Sequence, residues 1–134
     1  MIAILSDIHG NLPALRAVLE KADSLGCDRV ISLGDVVGYY AQPGECIDLL
    51  KSRSAINIMG NHDSYIVNDA DCPRSRMVTE ITNYQRGIVS LEQKAWLAES
   101  IPTLIEEENF FTHGGWSDPQ DQYLYRVSSV DLPP

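Results

Sequence analysis

Short apolar runs, each ended by small polar residues, recur along this chain, and stretches of helical periodicity fill the intervals between them. Ile2–Leu5 is such a run, closed by Ser6-Asp7, and reads as a buried strand. Asn11 is placed to cap the helix that follows, with Pro13 tolerated in its first turn. Leu12, Leu15, Val18, Leu19, Ala22 and Leu25 then recur at helical spacing until Gly26 stops the helix. Arg29–Leu33 predicts a second strand, ended by Gly34-Asp35. Pro43 opens a second helix carrying Ile47, Leu49 and Leu50, and Ala55–Met59 predicts a third strand ended by Gly60-Asn61. The order β-α-β-α-β favours a parallel sheet with right-handed crossovers, whose ligands bind outside the carboxyl ends of the strands.

Beyond residue 68 the pattern loosens. Asp69 to Arg76 is polar, contains Pro73 and reads as a loop, and Met77 to Arg86 has moderate helical character. Ser90-Leu91-Glu92-Gln93 fits a capping box opening a helix through Trp96 and Leu97. Thr103–Ile105 and Asn109–Thr112, parted by three glutamates, predict a strand hairpin whose second arm delivers His113. No element is recognisable from Trp116 onward, and there is no repeat or linker. The whole of 1–134 reads as one domain.

The polar residues at the ends of these runs are chemically selective. Asp7-Ile8-His9, Gly34-Asp35, Gly60-Asn61-His62-Asp63 and His113-Gly114 contain all three histidines of the chain. Taken singly, each has an ordinary reading as a helix entry, a turn or an Asx cap. Together, at successive strand ends, they are the donors of a two-metal hydrolytic site. Asp7 and His9 flank one position and turn toward one ion, while Asp35 is the natural bridge. Asn61 offers a carbonyl oxygen and His113 an imidazole.

Composition narrows the partners. A net charge of −9 and a pI near 4.6 argue against a general nucleic-acid or anionic-membrane surface. The three cysteines are widely spaced without a CxxC pair, which reads as reduced thiols of a cytoplasmic protein. No signal peptide or membrane span is recognisable.

The series D-x-H, G-D, G-N-H-D and H-G resembles the calcineurin-like metallophosphoesterase superfamily. The wording Ser6-Asp7-Ile8-His9-Gly10-Asn11 with Gly34-Asp35-Val36-Val37-Gly38-Tyr39 is most similar to its small prokaryotic phosphoesterases. The resemblance implies an α/β fold, the αββα sandwich of that superfamily. It implies two divalent ions, Mn²⁺ foremost with Fe, Zn, Ni or Co as alternatives, and a small phosphate ester as substrate, monoester or diester. Asp7 and His9 would hold the first ion, Asp35 would bridge, and Asn61 and His113 would hold the second. Hydroxide between the ions would attack phosphorus in line. His62 would lie beside the scissile phosphate to stabilise charge or protonate the leaving oxygen, with Asp63 orienting its ring and favouring the imidazolium.

Two departures qualify the resemblance. The arginine that follows G-D in the protein Ser/Thr phosphatase branch is absent from Val36-Val37-Gly38-Tyr39-Tyr40, which disfavours a phosphoprotein substrate. The G-H-x-H motif that completes both metal spheres is also absent, leaving three donors per ion with Asp35 counted twice. The expectation is therefore a βαβαβ first half with the second sheet largely missing, as in a truncated product of a longer gene. Its uncovered sheet face predicts a homodimer, a domain swap or a missing partner segment. The alternative to an enzyme is a catalytically impaired metal- or phosphate-binding or interaction module.

Overall fold

The computed structural model describes residues 1–68 and 72–123. Its strands and helices run β1 (Ile2–Leu5), α1 (Leu12–Ser24), β2 (Arg29–Ser32), α2 (Pro43–Ser52), β3 (Ile56–Asn57), α3 (Asn61–Val67), α4 (Arg76–Ile88), α5 (Leu91–Ala98), β4 (Thr103–Glu106) and β5 (Asn109–Thr112). β1, β2 and β3 form a parallel sheet in that order, with Ile4 opposite Ile31 and Ser32 opposite Asn57. The β-α-β-α-β reading of the first sixty residues is thus the fold. β3 is shorter than the Ala55–Met59 run, because Ile58 forms only an isolated bridge, to Ile101.

Local signals set the helix starts. Asn11 Oδ1 accepts from the Ala14 amide at 3.2 Å, and Ser90 and Gln93 close a capping box at α5. Successive residues of a strand point to opposite sheet faces, so the sheet has two chemically different sides. Ala3, Leu5 and Val30 face α1 and α2, where Leu12, Leu15, Leu19, Ile47 and Leu50 complete one core. Two thiols are buried, and burial pushes the Cys46 thiol up to about 12, leaving it unreactive.

The opposite face is only partly covered. β4 and β5 pair antiparallel as a separate hairpin, fastened at both ends of β2. Glu106 accepts two hydrogen bonds from Arg29 at the start of β2, and His113 Nδ1 lies 2.8 Å from the Leu33 carbonyl just past its end. Ile31, midway between those fastenings, is fully buried, whereas Ile2 and Ile4 on neighbouring β1 are 37% and 49% exposed. Among the described residues the hairpin is the one piece of a second sheet.

α3 has no counterpart in the periodicity. It begins on Asn61 directly after Gly60, so the third polar cluster sits in the first turn of a helix and not on a strand end.

Candidate metal centre

The donors converge through two interlaced loops. The β1–α1 loop is hydrogen-bonded to the β2–α2 loop as if the strands continued: Asp7 N to Gly34 O at 3.1 Å, His9 N to Asp35 O at 2.8 Å and Gly10 N to Val36 O at 2.8 Å. Asp7, His9 and Asp35 each adopt a left-handed backbone, with φ of 54°, 52° and 55°. Such residues cost about 1–3 kcal/mol each and persist where the surroundings over-determine them, commonly at functional sites.

Asp35 is the centre of the arrangement. Its Oδ2 lies 3.7 Å from His9 Nε2 and 3.4 Å from His113 Nε2, and His9 Nε2 lies 3.6 Å from Asp7 Oδ1. An ion about 2.1 Å from each of two donors at a tetrahedral angle would hold them about 3.4 Å apart, so these spacings suit shared cations. Ligand atoms of Asp7, Asp35 and His113 all lie within 4.8 Å of one another. Asn61 Oδ1 is 3.1 Å from His113 Nε2, and the buried Asn61 Nδ2 has no partner among the described residues. A buried amide with its nitrogen orphaned and its oxygen turned to the cluster fits a donor awaiting a cation. All five expected donors, Asp7, His9, Asp35, Asn61 and His113, are therefore brought to one place. Four of them, Asp7, Asp35, Asn61 and His113, line a cleft of about 140 Å³ that also touches Asp121 and Tyr123. A larger cleft of about 380 Å³ opens between β1 and α1 over Leu5, Leu15 and Val18, but it meets these donors only at Asp7 and His9.

Electrostatics couples the members. Burial would raise the Asp35 carboxyl, yet the hydrogen bond and charge of His113, with help from His62, hold it below its ordinary value. For His113 burial opposes the charge, but Asp35 and the Leu33 carbonyl prevail and raise it to about 9. Burial lowers His62, and the attraction of Asp35 does not restore it. The imidazolium expected of His62 is thus disfavoured in this arrangement, because desolvation outweighs the nearby carboxylate.

Asp63 serves the backbone rather than the ring. Its carboxylate accepts from the amides of Asp35 at 3.0 Å, Val36 at 2.9 Å, Val37 at 3.3 Å and Gly60 at 3.2 Å, and from Asn57 Nδ2 at 3.4 Å. No hydrogen bond joins it to His62, whose Nδ1 is buried without a partner among the described residues. The first turn of α3 aims Asp63 back beneath the Asp35 loop, away from the expected contact. It is fully buried, and that burial with the charge of Asp35 pushes it up to about 7. His62 instead packs among rings, 5.0 Å from His9 and 5.0 Å from Tyr39. Gly38 makes this packing feasible. Its φ is +94°, and a Cβ there would stand 2.6 Å from His62 Nδ1.

One positioning residue escaped the sequence. Gln85 on α4 is buried and clamps the loop beside the histidines, its Oε1 accepting from Gly38 N at 2.7 Å and its Nε2 donating to Tyr40 O at 2.8 Å. The same loop presents the Val37 carbonyl to His9 Nδ1 at 2.8 Å, fixing that ring with Nε2 toward Asp35.

Known proteins resemble this arrangement. The calcineurin-like phosphoesterase family matches residues 1–132. An uncharacterized protein of Methanocaldococcus jannaschii, MJ0912, is 32% identical over 131 residues, which cover 93% of this chain and 54% of that protein. A metallophosphoesterase from Sphaerobacter thermophilus superimposes with a TM-score of 0.79 at 31% identity, covering 92% of this chain and 51% of that one. The hypothetical protein PH1004 from Pyrococcus horikoshii superimposes with a TM-score of 0.82 at 23% identity, covering 91% and 58%. The chain spans about half the length of these relatives. No helix among the described residues is long and apolar enough to cross a membrane.

Proposed function

The chain belongs to the calcineurin-like phosphoesterase family, and from that premise we propose that it is a dinuclear metal-dependent hydrolase of small phosphate esters. The observation that carries this reading is the position of Asp35 Oδ2 between His9 Nε2 and His113 Nε2. Asp7, His9 and Asp35 would hold one ion, and Asp35, Asn61 and His113 the other. The mixed oxygen and nitrogen donor set suits Mn²⁺ first, with Fe, Zn, Ni or Co as alternatives. Bound ions would supply Lewis-acid polarisation of the phosphate and acidify a water near neutral pH. The chain's own groups do the rest. Asp63 and Gln85 hold the loops that carry the donors. His62, whose charged form burial disfavours, would lie beside the phosphate as a hydrogen-bonding group.

A second reading is favoured by the donor count. With three protein donors per ion among the described residues, the chain would bind metal and phosphate without turning over esters. In either reading Ile2 and Ile4 form the face on which a second copy or further polypeptide packs, by dimerisation or strand exchange. Light scattering that finds only monomer would count against that association. The decisive assay is hydrolysis of bis-p-nitrophenyl phosphate and p-nitrophenyl phosphate with added Mn²⁺. We expect turnover by the unaltered chain and its loss in Asp35→Asn, which keeps the shape but removes the bridging carboxylate. Equal rates in both proteins would leave only the binding reading.

A further inference from the structure

One cation is built into the margin of the donor cleft. The Arg74 guanidinium carbon lies 6.0 Å from the Tyr65 ring centroid and 5.8 Å from that of Tyr123. Its Nε donates to Tyr65 Oη at 2.9 Å, and another of its nitrogens pairs with Asp121. Asp121 and Tyr123 line the same cleft as Asp7, Asp35, Asn61 and His113. The Tyr65 ring stands 5.7 Å from that of His62, so Arg74 is one ring further out than His62. Its charge is nonetheless among those felt at His62. The side chain keeps 26% of its surface open to solvent.

The geometry points to Arg74 as the residue that binds a second, uncleaved phosphate of the substrate, with Asp121 holding the guanidinium until that anion displaces it. The inference rests on the phosphoesterase reading and adds a substrate class: esters bearing a further phosphate beyond the scissile one. A scissile phosphate would lie at Asp35 beside His62, whereas Arg74 meets the cleft at Asp121 and Tyr123, away from the metal donors. A guanidinium fork matches phosphate bidentately, and with Nε–H held by Tyr65 Oη the displacement of Asp121 frees the terminal N–H donors for the anion. Asp121 is a half-exposed carboxylate, so exchanging it for phosphate preserves the pairing of the arginine.

Calorimetry with inorganic pyrophosphate and inorganic phosphate, at one fixed free Mn²⁺ concentration, tests the assignment on the full chain. A charge-assisted contact of this kind implies that the unaltered protein prefers pyrophosphate roughly tenfold. Arg74→Ala is expected to abolish that preference while leaving phosphate affinity and Mn²⁺ binding intact. Asp121→Asn, which releases the arginine from its competitor, is expected to strengthen pyrophosphate binding severalfold. A pair that merely braces the loop would make both variants weaken binding together, and that result overturns the assignment. So does an unaltered chain with no preference for pyrophosphate, or one whose preference survives in Arg74→Ala. Phosphate binding that is indifferent to Mn²⁺ and to Asp35→Asn would count against the metal reading instead, so the two failures are separable.

Discussion

Asp35 and His113 deliver donors to the same spot, but the two regions that carry them are held in different ways. Beneath Asp35, the Asp63 carboxylate gathers the amides of three consecutive loop residues and of Gly60, and the neighbouring loop adds backbone bonds at Asp7, His9 and Gly10. His113 arrives on a two-stranded hairpin fastened to β2 by its own ring and by the Arg29–Glu106 pair. The first region is over-determined by several hydrogen bonds converging on one buried carboxylate. The second is a surface element with one aimed side chain, and two-stranded hairpins are marginal by themselves. Rigidity is therefore concentrated on the bridging carboxylate, the donor both ions would share, and the outer ligand is supplied by a separable part.

The sharpest way to break that contrast is Asp63→Ala. It strands several buried N–H groups at once, and unfolding in urea is expected to show a loss of about 4 kcal/mol or more. A loss no larger than that of a surface substitution would mean the Asp35 loop is held by something else. Metal should then separate the two regions by degree. At Mn²⁺ 100-fold above its dissociation constant, binding to the folded state alone adds about 2.7 kcal/mol. Thermal melts should rise accordingly for the unaltered chain, rise partly for His113→Ala, and stay level for Asp35→Asn. Identical shifts in all three would dissolve the distinction between shared and outer donors. Gln85→Leu removes a buried clamp with two partners, with an expected cost of about 2 kcal/mol in the same urea measurement. The smallest effect belongs to Glu106→Gln, which loosens an exposed pair. Global stability should be unchanged within error, while hydrogen exchange at Asn109–Thr112 quickens. Faster exchange throughout β1 and β2 would show that the hairpin supports the sheet after all.

Much of this was legible in the residues, for identifiable reasons. β1, β2, α1 and α2 declare themselves because their apolar spacing and their stop signals are local, and Asn11 and Ser90 cap as their neighbours dictate. The donor set was readable because few side chains offer metal-binding atoms and these stand beside turn residues. α3 was not, since Asn61-His62-Asp63-Ser64 has turn chemistry, and the helix is imposed by Gly60 and by the contacts of Asp63. Gln85 and Arg74 give no local signal: their partners lie far away in sequence, at Gly38, Tyr40 and Asp121. The direction of the His62 shift depended on burial, which no spacing reveals.

The left-handed backbone at Asp7, His9 and Asp35 has a consequence for how the motif is spelled. Among residues other than glycine, Asp, Asn and His are the ones most enriched at positive φ. They are also residues whose side chains end in atoms that bind hard or borderline cations. The conformational alphabet and the coordination alphabet coincide at these positions. An alanine placed there would lose a donor and add backbone strain in one stroke, whereas asparagine separates the two effects. The D-x-H and G-D signatures thus record the shape of the chain as much as its appetite for metal.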